Sequence, residues 1–257
     1  LFKFIMKIEL KNMEVKYKKI ILNNINYTLE DGKHILIGPN GSGKTTLVKC
    51  ILGMIDYNGK IMTNGVKSIS TNLIDVYKLI NSDVRDIINI YSDIFSVERE
   101  NIYSMIKKFR VERILNNRIN SISTGESKIL GFSIAMNINA DLMILDEPFE
   151  GIDISRKSII IKYLNGKKSN YLLITHELDL IDQLNFDGLS FIINGRIFGE
   201  FRNVNLKDIY FSKKNTGKIL EYVNLGKDKY FITEGNGEIP LTSFRTIEEL
   251  WGDNDAF

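Results

Sequence analysis

The nine residues GPNGSGKTT, positions 38 to 46, stand between the apolar runs HILI and LVKCILGMI. They satisfy the pattern G-x-x-x-x-G-K-[ST] through Gly38, Gly43, Lys44 and Thr45, with Ile35 to Ile37 as the preceding strand and Leu47 onward as the helix. Glycines let the backbone turn closely around phosphate oxygens with no Cβ in the way, so successive N–H groups and a helix N-terminus point at one anion. Lys44 can then reach the β and γ phosphates, and Thr45 can place its hydroxyl on Mg²⁺. Gly38, Pro39, Asn40, Gly41, Ser42, Gly43, Lys44, Thr45 and Thr46 are therefore the expected contacts to a nucleoside triphosphate.

A chain of 257 residues is long enough for one large α/β domain, or one domain with an appendage. With 34 Lys and Arg against 32 Asp and Glu, the net charge of +2 offers no electrostatic case for a nucleic-acid partner. Cys50 is the one cysteine, which precludes an intrachain disulfide and points to a cytosolic setting. No apolar run approaches the ~18 residues needed to cross a bilayer, and the opening LFKFIM is too short for a signal peptide. Any membrane-spanning role is thus expected of another polypeptide.

Along the chain, FIMKIELKNMEVKY and NINYTLEDGKHILIG alternate apolar and polar residues between turn residues, and predict antiparallel strands leading into the cradle strand. The pairs Asn58-Gly59 and Asn64-Gly65 predict a further hairpin. From about Ser82 to Asn117, isoleucines and aromatics fall three and four apart, the texture of a small helical insert. LMILDEP and NYLLITHE are unbroken apolar runs ending in polar residues, as buried central strands are. LSFIING, GKILEYVNL and DKYFITEGNG predict short later strands, and TIEELW a terminal helix.

Asp146 and Glu147 end the LMILDE strand about a hundred residues after the cradle, where one carboxylate can hold Mg²⁺ through water and its neighbour can polarise an attacking water. Twenty-three residues before Asp146 stands Ser123, which forms an S-x-x-E capping box with Glu126 at the head of a segment with half-buried helical spacing. With these motifs in this order, the chain resembles the ATP-binding cassette (ABC) family of ATPases. GPNGSGKTT looks like its Walker A, ISTGE like its signature motif, LMILDE like Walker B, EGID like the D-loop and ITHE like the H-loop, over roughly residues 6 to 200.

The resemblance implies a P-loop NTPase (RecA-like) core with a mixed sheet, an antiparallel β subdomain and a helical insert at about 75–135 carrying the signature. It implies a nucleotide-binding domain over 1–200 and a small, β-rich C-terminal extension over 201–257. It further implies two such domains sandwiching two ATP molecules head to tail, as a homodimer or with a related chain, so that Ser123 and Gly125 contact ATP held by the partner. Glu147 is carried over as the general base, His176 as a γ-phosphate contact, Tyr17 as the aromatic that stacks on adenine, and Asp153 as an interface residue. His34 receives no catalytic role. Two departures stand out: Asn72 is the nearest candidate for the usual Mg²⁺-contacting glutamine, and Thr124 and Glu126 replace the usual glycine and glutamine of the signature.

The function that follows is an ATPase subunit working at the inner face of the cell membrane, powering transport through a separate transmembrane permease that holds substrate specificity. The alternative is a soluble non-transport ABC ATPase, of iron–sulfur assembly or conformational-switch type. A P-loop kinase or GTPase would lack the signature and, for a GTPase, would carry an N-K-x-D absent after Walker B.

Overall fold

The computed structural model describes residues 6–79, 81–214, 216–225 and 228–250. They form two units, one built from the chain up to Val66 and again from Leu172 onward, the other from Lys67–Tyr171.

The first unit begins with β1 (Lys7–Lys16) and β2 (Ile20–Glu30), an antiparallel pair in which Lys7 faces Glu30 and Lys16 faces Ile20. Ile8, Leu10, Met13 and Val15 of β1 are buried while their neighbours are less so, the period-2 pattern of a strand with one core face. Then come β3 (Lys33–Ile37), α1 (Lys44–Ile51) and β4 (Asn58–Asn64). Residues 34–37 of β3 are all buried, as a central strand requires.

The hairpin expected at Asn58-Gly59 and Asn64-Gly65 does not form. Instead β4 pairs antiparallel with β1, giving the order β2-β1-β4. Gly59 has φ +98°, and a Cβ there would meet the Asn12 carbonyl oxygen at 2.4 Å. Asn12 itself has φ +48°, and the register shifts between Lys11 and Glu14. The Asn-Gly pair therefore serves a close backbone approach beside a bulge, a use of positive φ that local sequence does not distinguish from a hairpin turn.

The second unit runs β5 (Ile69–Thr71), α2 (Ile74–Tyr77), α3 (Val84–Phe95), α4 (Arg99–Lys108), α5 (Thr124–Asn137), β6 (Leu142–Asp146) and α6 (Ile154–Gly166). Strands β5 and β6 are parallel, with Ile69 facing Leu142 and Thr71 facing Ile144, and β6 is buried throughout. Helix α5 departs from the half-buried expectation, since residues 129–135 are all buried. Two of its small residues explain this. Gly131 admits the Asn72 backbone, whose carbonyl oxygen would lie 2.4 Å from any Cβ there, and the Ser133 hydroxyl donates to the Ile129 carbonyl at 2.7 Å inside the helix.

Returning to the first unit, β7 (Tyr171–Thr175) lies beside β3, which pairs parallel with β8 (Gly188–Ile193), which pairs antiparallel with β9 (Arg196–Arg202); the short α7 (Leu178–Ile181) follows β7. Strands β10 (Ile209–Ser212), β11 (Lys218–Leu225), β12 (Asp228–Glu234) and β13 (Ile239–Pro240) form a separate antiparallel sheet in the order β11-β12-β10-β13. The expected terminal helix is a single 3-10 turn at Ile247–Leu250, and Trp251 of that expectation lies outside the described residues.

His34 is buried at the head of β3, where its Nε2 donates to the Glu30 carbonyl at 2.9 Å and its Nδ1 forms an ion pair with Glu200 of β9 at 2.5 Å. Partial burial pushes the Glu200 carboxyl up, but the His34 contact and the nearby Arg202 guanidinium together hold the group below its ordinary value of 4.5. A carboxylate depressed on folding stabilises the fold above its ordinary range, and that stability is lost as pH falls through the folded value. Glu200→Gln is thus expected to lower the melting temperature at pH 7 by roughly 2–8 °C, for a loss of about 1–2 kcal/mol. The gap should narrow as pH falls below about 4.5. Melting curves with an unchanged gap from pH 7 to 4 would contradict the pairing.

Candidate functional site

Each expected site residue falls in one unit or the other. The first holds Tyr17, the loop 38–43, Lys44, Thr45, Thr46 and His176; the second holds Asn72, Ser123, Gly125, Asp146, Glu147 and Asp153.

In the first unit, β3 runs into the loop and α1 leaves it. Gly43 caps α1 at φ +102°, and a Cβ there would meet the Leu22 side chain at 2.6 Å. Gly41 has φ +80° with nothing within 4 Å of a Cβ position, so the loop's tip is open where an anion can approach. Gly38 is fixed by contact instead, because a Cβ would lie 2.4 Å from the Ile192 carbonyl oxygen. Pro39 accepts from the Ser42 N–H at 3.2 Å, closing the loop, and the Ser42 hydroxyl is buried without a protein hydrogen-bond partner. Lys44 is buried and donates to the Gly38 and Pro39 carbonyls at 2.7 and 2.8 Å, drawing its ammonium across the loop. Thr45 is exposed and Thr46 half-buried in the first turn of α1. Anions are favoured at such a helix N-terminus.

The cradle is tied to the end of β7, since the Gly38 N–H donates to the Thr175 carbonyl at 3.2 Å. His176 follows, half-buried, at the C-terminal end of the strand. Tyr17 occupies the turn between β1 and β2 with 62% of its surface exposed, leaving its ring available for stacking.

In the second unit, Asp146 ends β6 and Glu147 follows; both are buried, at 3% and 6% exposure. Glu147 has φ +46°, a left-handed conformation costing about 1–3 kcal/mol in a non-glycine residue and often found at functional sites. Asn72 holds the peptide that leads into it. The Asp146 N–H donates to Asn72 Oδ1 at 2.7 Å, and Asn72 Nδ2 donates to the Asp146 carbonyl at 3.1 Å. The side chain thereby continues the β5–β6 ladder one step past the last paired residue, Thr71. Lys128 of α5 donates to the same carbonyl at 3.1 Å and stands 3.6 Å from Glu150. The sequence marks neither role, because both depend on a backbone brought in by tertiary folding.

The signature is a capping box. Glu126 N–H donates to the Ser123 hydroxyl at 3.3 Å, while the Ser123 N–H and hydroxyl donate to Glu126 Oε2 at 2.9 and 2.8 Å. Arg113 donates to Glu126 Oε1 at 3.0 Å. Hydrogen bonding from the Ser123 N–H leads the causes that hold the Glu126 carboxyl below its ordinary value. Ser123 and Thr124 are exposed, so this helix N-terminus faces outward. Gly125 cannot carry a Cβ, which would meet the Gly151 carbonyl oxygen of the EGID loop at 2.6 Å. Asp153 caps α6, accepting from the Arg156 N–H at 3.1 Å.

In the first unit Thr45 offers a hydroxyl, and in the second Asp146 offers a carboxylate, each a hard oxygen donor of the kind that Mg²⁺ takes. Among the described residues no group of three or more His, Cys, Asp or Glu is placed to hold a metal ion.

A glycine cradle at a strand-to-helix turn, with a buried carboxylate pair ending a second strand, defines a P-loop nucleotide-binding protein. The family described as ABC transporter matches residues 22–150. The zinc import ATP-binding protein ZnuC of Wigglesworthia glossinidia brevipalpis is 30% identical over 182 residues, covering 68% of this chain and 78% of that protein. The lantibiotic transport ATP-binding protein SrtF of Streptococcus pyogenes is 28% identical over 206 residues, covering 75% of this chain and 90% of that protein. A solved structure of a cobalt transport ATP-binding protein (cbiO-2) superposes with a TM-score of 0.82 at 29% identity, covering 95% of this chain and 99% of the other. The chain belongs to the ABC transporter family: it is an ATP-binding ATPase subunit of the kind that powers transport.

Asn72→Ala removes both bonds that hold Asp146. Stability should fall by about 2–4 kcal/mol for two lost buried hydrogen bonds. In the folded variant, kcat should fall at least ~10-fold while ATP affinity stays within ~2-fold, since the cradle is untouched. Steady-state kinetics beside equilibrium ATP titration check this, and an unchanged kcat would remove Asn72 from the alignment of Walker B.

Proposed function

We propose that two copies of this chain, or this chain and a related one, close head to tail around two ATP molecules. Each site would combine the 38–46 cradle of one chain with Ser123, Gly125 and the α5 N-terminus of the other. The observation that carries this reading is the outward-facing signature cap, an anion-binding helix end exposed at Ser123 and Thr124. Closure requires the Ser123 hydroxyl to turn from Glu126 toward the incoming γ-phosphate, while Arg113 holds the Glu126 carboxylate in place.

In the closed site the cradle N–H groups hold the phosphate oxygens and Lys44 swings from the Gly38 and Pro39 carbonyls onto the β and γ phosphates. Tyr17 stacks on adenine. Glu147 takes a proton from water as the water oxygen attacks the γ-phosphorus, and the bond to the β–γ bridging oxygen breaks to release ADP. His176 contacts the γ-phosphate and keeps it in line, and Asp153, at the head of α6, links the two sites across the interface. Mg²⁺, held by Thr45 and Asp146, would neutralise phosphate charge. We assign to Asn72 the positioning of Asp146, with any contact to Mg²⁺ secondary to it.

Closing and reopening would drive a separate transmembrane permease, with this chain held at the inner face of the membrane. Among the described residues no helix is long and apolar enough to cross a membrane. The docking surface falls near Asn72 to Arg85, where Leu79 is 80% exposed. Relatives named for zinc import and for lantibiotic transport share the cassette while differing in cargo, which supports placing specificity in the permease. We retain the division into a nucleotide-binding domain over 1–200 and an extension over 201–257.

Glu147→Gln keeps the side chain's shape and its strained backbone but removes the base. Turnover should fall at least ~100-fold, and an ATP-bound dimer should accumulate on size exclusion. Near-normal hydrolysis would remove Glu147 from the catalytic role.

A further inference from the structure

Residues 245–249 cross the H-loop as a strap. The Leu178 N–H donates to the Arg245 carbonyl at 2.6 Å, the Ile247 N–H donates to the His176 carbonyl at 3.0 Å, and Thr246 forms an isolated bridge with Glu177. Ile247 is fully buried, and the Arg245 N–H donates to Glu249 Oε2 at 2.9 Å, which fixes the turn between them. The residue thus held between Ile247 and Glu249 is Glu248. Its Oε1 accepts from the backbone N–H of Asn40, inside the phosphate loop, at 2.6 Å.

We infer that Glu248 is a built-in anionic cap on the phosphate loop, which ATP must displace before the site can be used. This rests on the cradle reading above. The Asn40 N–H belongs to the set of loop amides that favour an anion, and a carboxylate on it stands where phosphate charge is drawn. Two anions on one loop repel, and one short hydrogen bond to a single N–H leaves no room for a second acceptor.

Two further observations mark the cap as one that yields. Glu248 Oε2 is buried with no hydrogen-bond partner, so the carboxylate is only half satisfied, and an unpaired buried acceptor is costly. Lys44 meanwhile donates to the Gly38 and Pro39 carbonyls of the same loop. The loop in this state therefore has a protein carboxylate on its amide and its ammonium drawn onto its own carbonyls. Because the strap also binds the His176 carbonyl, displacing Glu248 loosens the backbone that carries His176. Cradle occupancy and H-loop freedom are linked through one five-residue segment.

The test is Mg²⁺-ATP binding and hydrolysis by the full chain carrying Glu248→Gln or Glu248→Ala, together with amide hydrogen exchange of the unchanged chain. The cap multiplies the apparent affinity by the fraction of open loop, so both substitutions should tighten ATP binding about 3- to 10-fold without lowering kcat. Saturating ATP should speed exchange at Ile247 and Leu178 in the unchanged chain. Equal ATP affinity in all three chains, a lower kcat in the variants, or exchange that ATP leaves unmoved would each overturn the inference while leaving the cradle reading intact. If no chain binds ATP, both fall together.

Discussion

The 38–43 loop of the first unit answers to one requirement, that several backbone N–H groups converge on an anion without steric obstruction. That requirement makes Gly41 and Gly43 positive in φ, and it brings the Gly38 backbone so close to Ile192 that no side chain fits. The loop is then anchored on both sides, through the Gly38 N–H on the Thr175 carbonyl and the Gly195 N–H on the Ser42 carbonyl. The end of β7 and the turn after β8 thus hold the cradle that β3 delivers.

The second unit solves a different problem, aiming charged side chains from the end of a buried strand. Asp146 and Glu147 sit beyond the last residue that β5 can pair, so a side chain must complete the ladder, and Asn72 does so with both atoms of its amide. Lys128 adds a cation to the same carbonyl from the helix that begins at the signature cap. The close approach of Gly125 to Gly151 joins that cap to the loop following Walker B. The Ser123 cap and the buried carboxylates of Asp146 and Glu147 are therefore parts of one framework within this unit.

The motifs were legible because their chemistry tolerates few residue types at fixed spacing. A cradle needs glycines and lysine in register, and a capping box needs serine three residues before glutamate. What depends on tertiary approach was not legible. Asn58-Gly59 reads as a hairpin because a bulge beside Asn12 demands the same positive φ as a turn. His34 meets Glu200, and Asn40 meets Glu248, across 208 residues in the second case, and nothing local marks either partner. Glu248 in particular sits in a stretch that, read alone, is only a short acidic helix.

If each hydrolytic site is shared between two chains, two differently disabled chains must complement each other when mixed. A Lys44→Ala chain lacks a working cradle and a Ser123→Arg chain lacks a working signature, so each alone should be inactive. Mixed dimers would hold one intact site, formed by the cradle of the second chain and the signature of the first. Mixing equal amounts should restore ATPase activity to about a quarter of the unaltered protein's if sites act independently, since half the dimers are mixed and each carries one of two sites. No recovery, with mixed dimers demonstrated by size exclusion, would mean that cradle and signature do not combine across chains.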